Sequence, residues 1–177
     1  MIAQIKSKSV EAFDQLIEQY GDRLYWHIRR IVVQHEEAED VMQETFTRAF
    51  LSIGDFRGET ERSLTAWLYR IATNLAIRAL QKRKRGIFSS LDSVRGDLLA
   101  TFEHEVEPSA DEIVVRLQRA ILSLPTKQRL VFNMRYYDEL SFEQISQATG
   151  QSVSTLKTNY HYAVQKIKEQ VKVIEIE

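Results

Sequence analysis

The sequence contains no cysteine, which excludes disulfides and cysteine-ligated metal sites. It has only two prolines and six glycines in 177 residues, too few for a turn-rich β architecture. No apolar run approaches the roughly 20 residues that a membrane span requires. The opening stretch MIAQIKSKSVEAF lacks the apolar centre of a secretory signal. A soluble cytoplasmic protein without membrane insertion is therefore expected. Strong charge of one sign is also missing: 24 basic and 25 acidic side chains leave a net charge of −1. Such a balance argues against an indiscriminate polyanion binder, because phosphate affinity comes from clustered cations. Glycine-rich phosphate loops are absent. His27, His35, His104 and His161 are scattered, with no metal-ligand spacing such as H-E-x-x-H. Neither catalysis nor a metal, cofactor or small-molecule substrate is expected.

What is present is helical periodicity, in two blocks. The near-neutral total hides a segmentation: residues 1–86 carry a net of +2, residues 87–111 a net of −5, and residues 112–177 a net of +2. The stretch 86–112 around this acidic joint also gathers two glycines, a proline and several serines, and its periodicity fades. We expect an all-α protein of two small helical domains, 1–86 and 110–177, on a flexible linker, 87–109, holding at most one short helical piece.

In the first block, Ser9 is placed to cap a helix with Glu11 in its first turn. Phe13, Leu16, Ile17 and Tyr20 form its apolar stripe. Gly21 is expected to break it, with Leu24, Ile28, Ile31 and Val32 continuing in a second helix. A third helix, about 36–53, puts Ala38, Val41, Met42, Thr45, Phe46, Ala49, Phe50 and Ile53 on one side. Its other side carries Glu37, Asp40, Glu44, Thr47, Arg48 and Leu51, either a solvated face or a docking face for a partner helix. The loop GDFRGETER follows, with Phe56 either anchoring it to the core or awaiting a ligand.

The stretch from Ser63 to Arg85 reads as one long helix with two faces. Leu64, Leu68, Ile71, Ala72, Leu75 and Ala79 make an apolar stripe. Trp67, Arg70, Asn74 and Arg78 recur on another face, and the helix runs into Lys82, Arg83, Lys84 and Arg85. Aromatic surface for stacking, an amide for base edges and cations for phosphates suit single-stranded nucleic acid. The same pattern also fits a surface helix with a solvated basic end.

The second block restarts at Ser109, with Ile113, Leu117, Ala120, Ile121 and Leu124 on one apolar face. Pro125 suits the first turn of the next helix, which packs through Leu130, Val131, Met134 and Tyr137. Ser141 and Gln144 form a capping box, Phe142, Ile145 and Ala148 face inward, and Gly150 suits the left-handed residue that closes a helix. Ser152 then caps a longer helix whose core positions are Leu156, Tyr160, Ala163 and Ile167. This is a helix-turn-helix pattern. Its exposed stripe, Ser154, Lys157, Thr158, His161 and Gln165, would meet base edges in a major groove. An ordinary antiparallel helix pair is the plainer alternative.

Three ordered stretches, EAEDVMQETFTRAF, FRG followed by TAWLYRIATNLAIR, and LPTKQRLVFNMRYYDELSFEQISQATGQSVSTLKT, resemble bacterial RNA polymerase sigma factors of the extracytoplasmic-function (ECF) group. The resemblance covers nearly the whole chain outside the linker and tail. It implies a binding protein that directs core RNA polymerase to promoters and stabilises the melted non-template strand. By it, Asp40, Gln43, Glu44, Phe46 and Arg48 would make or support the polymerase contact. Phe56 and Asn74 would hold an unstacked minus-ten base, while Trp67, Arg70 and Arg78 shape the fork. Ser154, Thr155, Lys157, Thr158 and His161 would read the minus-thirty-five element. An anti-sigma partner is likewise implied by resemblance. One departure stands out: family recognition helices commonly carry several arginines after the lysine, where this chain has NYHYAVQ, which weakens phosphate anchoring. A stand-alone helix-turn-helix regulator, binding duplex operator DNA without polymerase, is the competing expectation.

Overall fold

The computed structural model describes residues 2–85, 91–106 and 111–172, and every regular element among them is helical. The chain begins with α1 (Ile2–Lys6), α2 (Val10–Val32) and α3 (His35–Ser52). A 3₁₀ turn (Ile53–Asp55) and a loop lead to α4 (Glu61–Arg85). Then follow α5 (Leu91–Glu105), α6 (Glu112–Leu122), α7 (Thr126–Tyr136), α8 (Phe142–Thr149) and α9 (Val153–Lys172).

The ends of these helices are set by local chemistry. Ser9 caps α2 by accepting from the Ala12 amide at 3.3 Å. Gly21 does not interrupt α2, which runs through it without a break. A mid-helix glycine costs only about 1 kcal/mol against alanine, and the buried stripe on both sides, Phe13, Leu16, Tyr20, Leu24, Ile28 and Ile31, outweighs that. Thr60 and Ser63 cap α4 reciprocally, the Thr60 hydroxyl accepting from the Ser63 amide and the Ser63 hydroxyl from the Thr60 amide, each at 3.2 Å. The Ser141–Gln144 capping box is complete, with bonds of 3.0 and 3.1 Å. Gly150 closes α8 at φ 73°, the left-handed conformation a side chain disfavours, and Ser152 accepts from the Thr155 amide at 3.1 Å.

The joint holds more regular structure than its composition suggests. Helix α5 covers 15 of its residues. Residues 87–90 and 107–109 of the expected linker, among them the expected cap Ser109, and the tail from 173 lie outside the described residues. The observed cap of α6 is Asp111, which accepts from the Ile113 amide at 2.8 Å. Ile113, expected on the apolar face, is exposed instead.

Helices α1–α4 pack together, and α6–α9 form a second group around Ile121, Leu124, Phe132, Ala163 and Ile167. The two groups do not stand apart. Helix α8 lies along α4, and Met134, Leu140, Ile145, Ala148 and Leu156 share one buried cluster with Leu64, Leu68, Tyr69, Ala72 and Ala76.

Candidate nucleic-acid interface

Helix α4 carries three stripes. Leu64, Leu68, Ala72 and Leu75 are buried, as the 3.6-residue period predicts. A second buried stripe, Ala66, Tyr69, Thr73, Ala76 and Leu80, was not legible as such. Between them the ridge stays open: Arg70, Asn74 and Arg78 are exposed and Trp67 is half-buried. At 1.5 Å per residue, Arg70 and Arg78 are separated by about 12 Å along the axis. The ridge thus offers an amide flanked by two guanidiniums, with an indole at its start.

Phe56 does not join that exposed surface. It is 6% exposed, with its ring centroid 5.1 Å from that of Trp67 and the Lys6 ammonium 5.4 Å away. The loop is folded inward because its ring completes the apolar cover of α4. In this position Phe56 anchors the loop, one of the two roles its sequence left open, and supports Trp67 from beneath.

On α3, Asp40, Gln43, Glu44 and Arg48 are exposed on one face. Glu44 accepts from Arg48 Nε at 2.9 Å and from Nη2 at 2.6 Å, so the two form a local pair. Phe46 points the other way, 6% exposed and edge-on to Phe13 at 6.4 Å. It can therefore support the face and does not form it. A groove of about 690 Å³ runs between α3 and α4, with Glu37, Asp40 and Glu44 along one wall and Arg78, Lys82 and Arg83 along the other. Arg83 is tied into the fold by its ion pair with Glu37 and its bond to the Val32 carbonyl at 3.1 Å. Lys82 remains exposed; the side chains of Lys84 and Arg85 lie outside the described residues. Arg48 and Arg78 also line a smaller cavity of about 360 Å³, floored by Ile71 and Leu75 and edged by Asn74. The α3 face and the α4 ridge are thus contiguous.

The second candidate surface is on α9. Leu156 and Ala163 are buried, and Ser154, Thr155, Lys157, Thr158, His161 and Gln165 are exposed on the opposite side. Behind this stripe Phe132 stacks on Tyr160 and Tyr136, with centroids at 6.0 and 5.3 Å. Glu143, in the first turn of α8, is held below the usual carboxylate range by its own backbone amide, the Ser141 hydroxyl and the nearby cations Lys157 and Arg135. No cluster of metal-ligating side chains occurs among the described residues.

Sequence reasoning missed one polar site. His27, wholly buried on α2, has Nδ1 2.7 Å from Asp138 Oδ2 and Nε2 2.9 Å from Thr73 Oγ1. No local pattern joins residues so far apart in the chain.

Residues 16–86 match the family described as Sigma-70 region 2, and residues 115–167 match Sigma-70, region 4. The chain is 32% identical to the ECF RNA polymerase sigma factor SigW of Bacillus subtilis, over 97% of this chain and 95% of that protein. It is 28% identical to the RNA polymerase sigma-H factor of Pseudomonas aeruginosa, over 89% and 85% respectively. Among solved structures, CnrH in complex with the cytosolic domain of CnrY shares the fold, with a TM-score of 0.71 at 22% identity, covering 98% of this chain and 96% of that one. The sigma factor RpoE of Bartonella quintana, solved with the anti-sigma factor NepR, aligns with a TM-score of 0.73 at 21% identity, over 93% and 99%. The matches do not favour a stand-alone regulator. With both regions present in order and a relative similar along its whole length, the chain belongs to the ECF group of bacterial RNA polymerase sigma factors.

Proposed function

We propose that this sigma factor divides promoter recognition among three exposed surfaces. The α3 face of Asp40, Gln43, Glu44 and Arg48, backed by Phe46, docks on core RNA polymerase. The α4 ridge, Trp67, Arg70, Asn74 and Arg78, takes the non-template strand at the minus-ten element. The α9 stripe, Ser154, Thr155, Lys157, Thr158 and His161, reads the minus-thirty-five element. On this reading the working units are residues 1–86 and 110–177, with 87–109 between them.

One observation carries the assignment: Arg70, Asn74 and Arg78 lie exposed in a line between the two buried stripes of α4. Extruding a base from duplex costs a few kcal/mol. Stacking and amide contacts to the displaced strand return part of that, about 1–3 kcal/mol per stacked base. The near-neutral charge of the chain fits the same division of labour, since polymerase supplies most of the phosphate contacts. Binding, not covalent chemistry, is what these surfaces can do. The structural relatives were solved with CnrY and NepR, respectively; by analogy, a protein inhibitor of this chain is part of the proposal.

Run-off transcription with core polymerase tests the reading. The protein should stimulate initiation on its own promoters, and alanine at Asn74 should lower it. Failure to bind core polymerase and failure to stimulate any promoter would together overturn it.

A further inference from the structure

His161 is the one histidine on the reading surfaces proposed above. His27 is buried between Asp138 and Thr73, His35 is bonded to the Tyr25 hydroxyl at 2.6 Å, and His104 lies in the last turn of α5. The His161 ring is exposed and makes no hydrogen bond or ion pair among the described residues; it meets the Tyr162 ring edge-on at 6.0 Å. Lys157 precedes it by one turn, about 6 Å along the axis. After Lys157, no lysine or arginine follows on α9 until Lys166. Beside Ser154, Thr158 and Gln165, the two residues thus form an edge whose second member is cationic only when protonated.

Little in the free protein favours that second charge. The first carboxylate of α9 is Glu169, two turns further on, about 12 Å away along the axis. Of the helices packed on α9, α8 brings Glu143 and α7 brings Arg135, and both face Lys157. Lys157 and Arg135 share the Phe142 ring, their charged groups 5.9 and 5.7 Å from its centroid. On the other flank, Lys166 is held by Gln128 of α7 at 3.1 Å. Helix α6 meets the far end of α9, where Ser123 donates to Gln170 at 3.0 Å, and its own charges are engaged elsewhere, Arg116 with Glu112 and Arg119 with Glu103.

Lys157 therefore opposes a positive charge on His161 in the free protein, whereas nearby DNA phosphates favour it. A neutral imidazole displaces no counterion from DNA; an imidazolium does so as a lysine would. We propose that His161 is the second cation of the minus-thirty-five contact, charged by a proton taken from solvent as the duplex binds. The inference rests on the sigma reading above and adds a dependence on pH at that same surface. Its sign is fixed: a group that gains a proton on binding strengthens binding at low pH, and the gain is lost as pH rises across the histidine range, about 5 to 8.

The test uses holoenzyme assembled from core polymerase and the full chain, titrated onto a promoter duplex at pH 6, 7 and 8. Wild type, His161→Gln and His161→Lys are compared. Relative to His161→Gln, the affinity of the wild type should fall with rising pH by up to about tenfold per unit, the limit for one proton. Its slope of log K against log salt should be steeper at pH 6 than at pH 8 by up to about 0.9, the contribution of one phosphate contact. His161→Lys should keep a constant advantage over His161→Gln across the range. On a duplex truncated below the minus-thirty-five element, the differences among the three proteins should vanish. Parallel pH profiles of wild type and His161→Gln on the full duplex, or differences that persist on the truncated one, would overturn the proposal. Assembly of the holoenzyme is measured alongside. Failure to bind core polymerase would count against the sigma reading, while normal assembly with parallel profiles would count against proton uptake alone.

Discussion

The Phe56 ring lies beneath the Trp67 indole, centroids 5.1 Å apart and planes inclined by 39°, so the loop before α4 is fastened to the helix it precedes. Gly58 makes this possible, because a methyl group there would overlap the Phe56 ring and the Ser63 hydroxyl. Phe56→Ala should therefore cost about 3–5 kcal/mol of stability, read by chemical denaturation. Gly58→Ala should shift the loop and lower promoter opening. Unchanged stability in the Phe56 variant, with opening alone lost, would return Phe56 to the role of a direct base contact.

Asn74 is exposed and makes no side-chain hydrogen bond among the described residues. Asn74→Ala should leave the melting temperature and the affinity for core polymerase unchanged. It should impair opening of a closed promoter by about 1–3 kcal/mol, the range for a lost base contact, and do less on a promoter already melted by mismatches. Permanganate reactivity of the unpaired strand reads the difference. Equal loss of core binding would make Asn74 a structural residue.

Lys157 is the one lysine or arginine in the first turns of α9. Upstream binding should thus have a shallow salt dependence. Lys157→Ala should weaken duplex binding across sequences and reduce the slope of log K against log salt by about 1. A changed base preference with an unchanged slope would mean that Lys157 reads a base edge.

Glu143 contributes to pH dependence with a definite sign. Its folded pKa is lowered, first by its backbone amide and then by Ser141, so it stabilises the fold above its ordinary value of 4.5 and ceases to as pH falls through the lower folded value. Glu143→Gln should melt below the wild type at neutral pH, and the gap should close as pH falls through the lowered folded pKa. A gap independent of pH would place the effect in packing.

How much of this could be read from the sequence follows from the range of each interaction. Capping and period are local, so the Ser141–Gln144 box, the Gly150 closure, the α4 ridge and the α9 stripe were legible within a few residues. The second buried stripe of α4 was not, since its cover comes from α8, far along the chain. His27 read only as one of four scattered histidines, and Asp138 drew no reading, for the same reason. Gly21 was misread as a break because propensity was weighed without the packing that overrides it. Phe56 left two readings open, and its contact with the Trp67 indole, which favours the anchor, is made across a loop that no local pattern spans.

The central claim is that the α4 ridge receives bases of the displaced strand. Photocrosslinking tests it directly, with a photoreactive base at successive minus-ten positions of the non-template strand, in a complex of core polymerase, forked promoter DNA and this protein. The account predicts crosslinks mapping between Trp67 and Arg78, strongest at Asn74 and lost from the Asn74→Ala protein at one base position. Crosslinks confined to the polymerase subunits, with α4 unmarked, would contradict it.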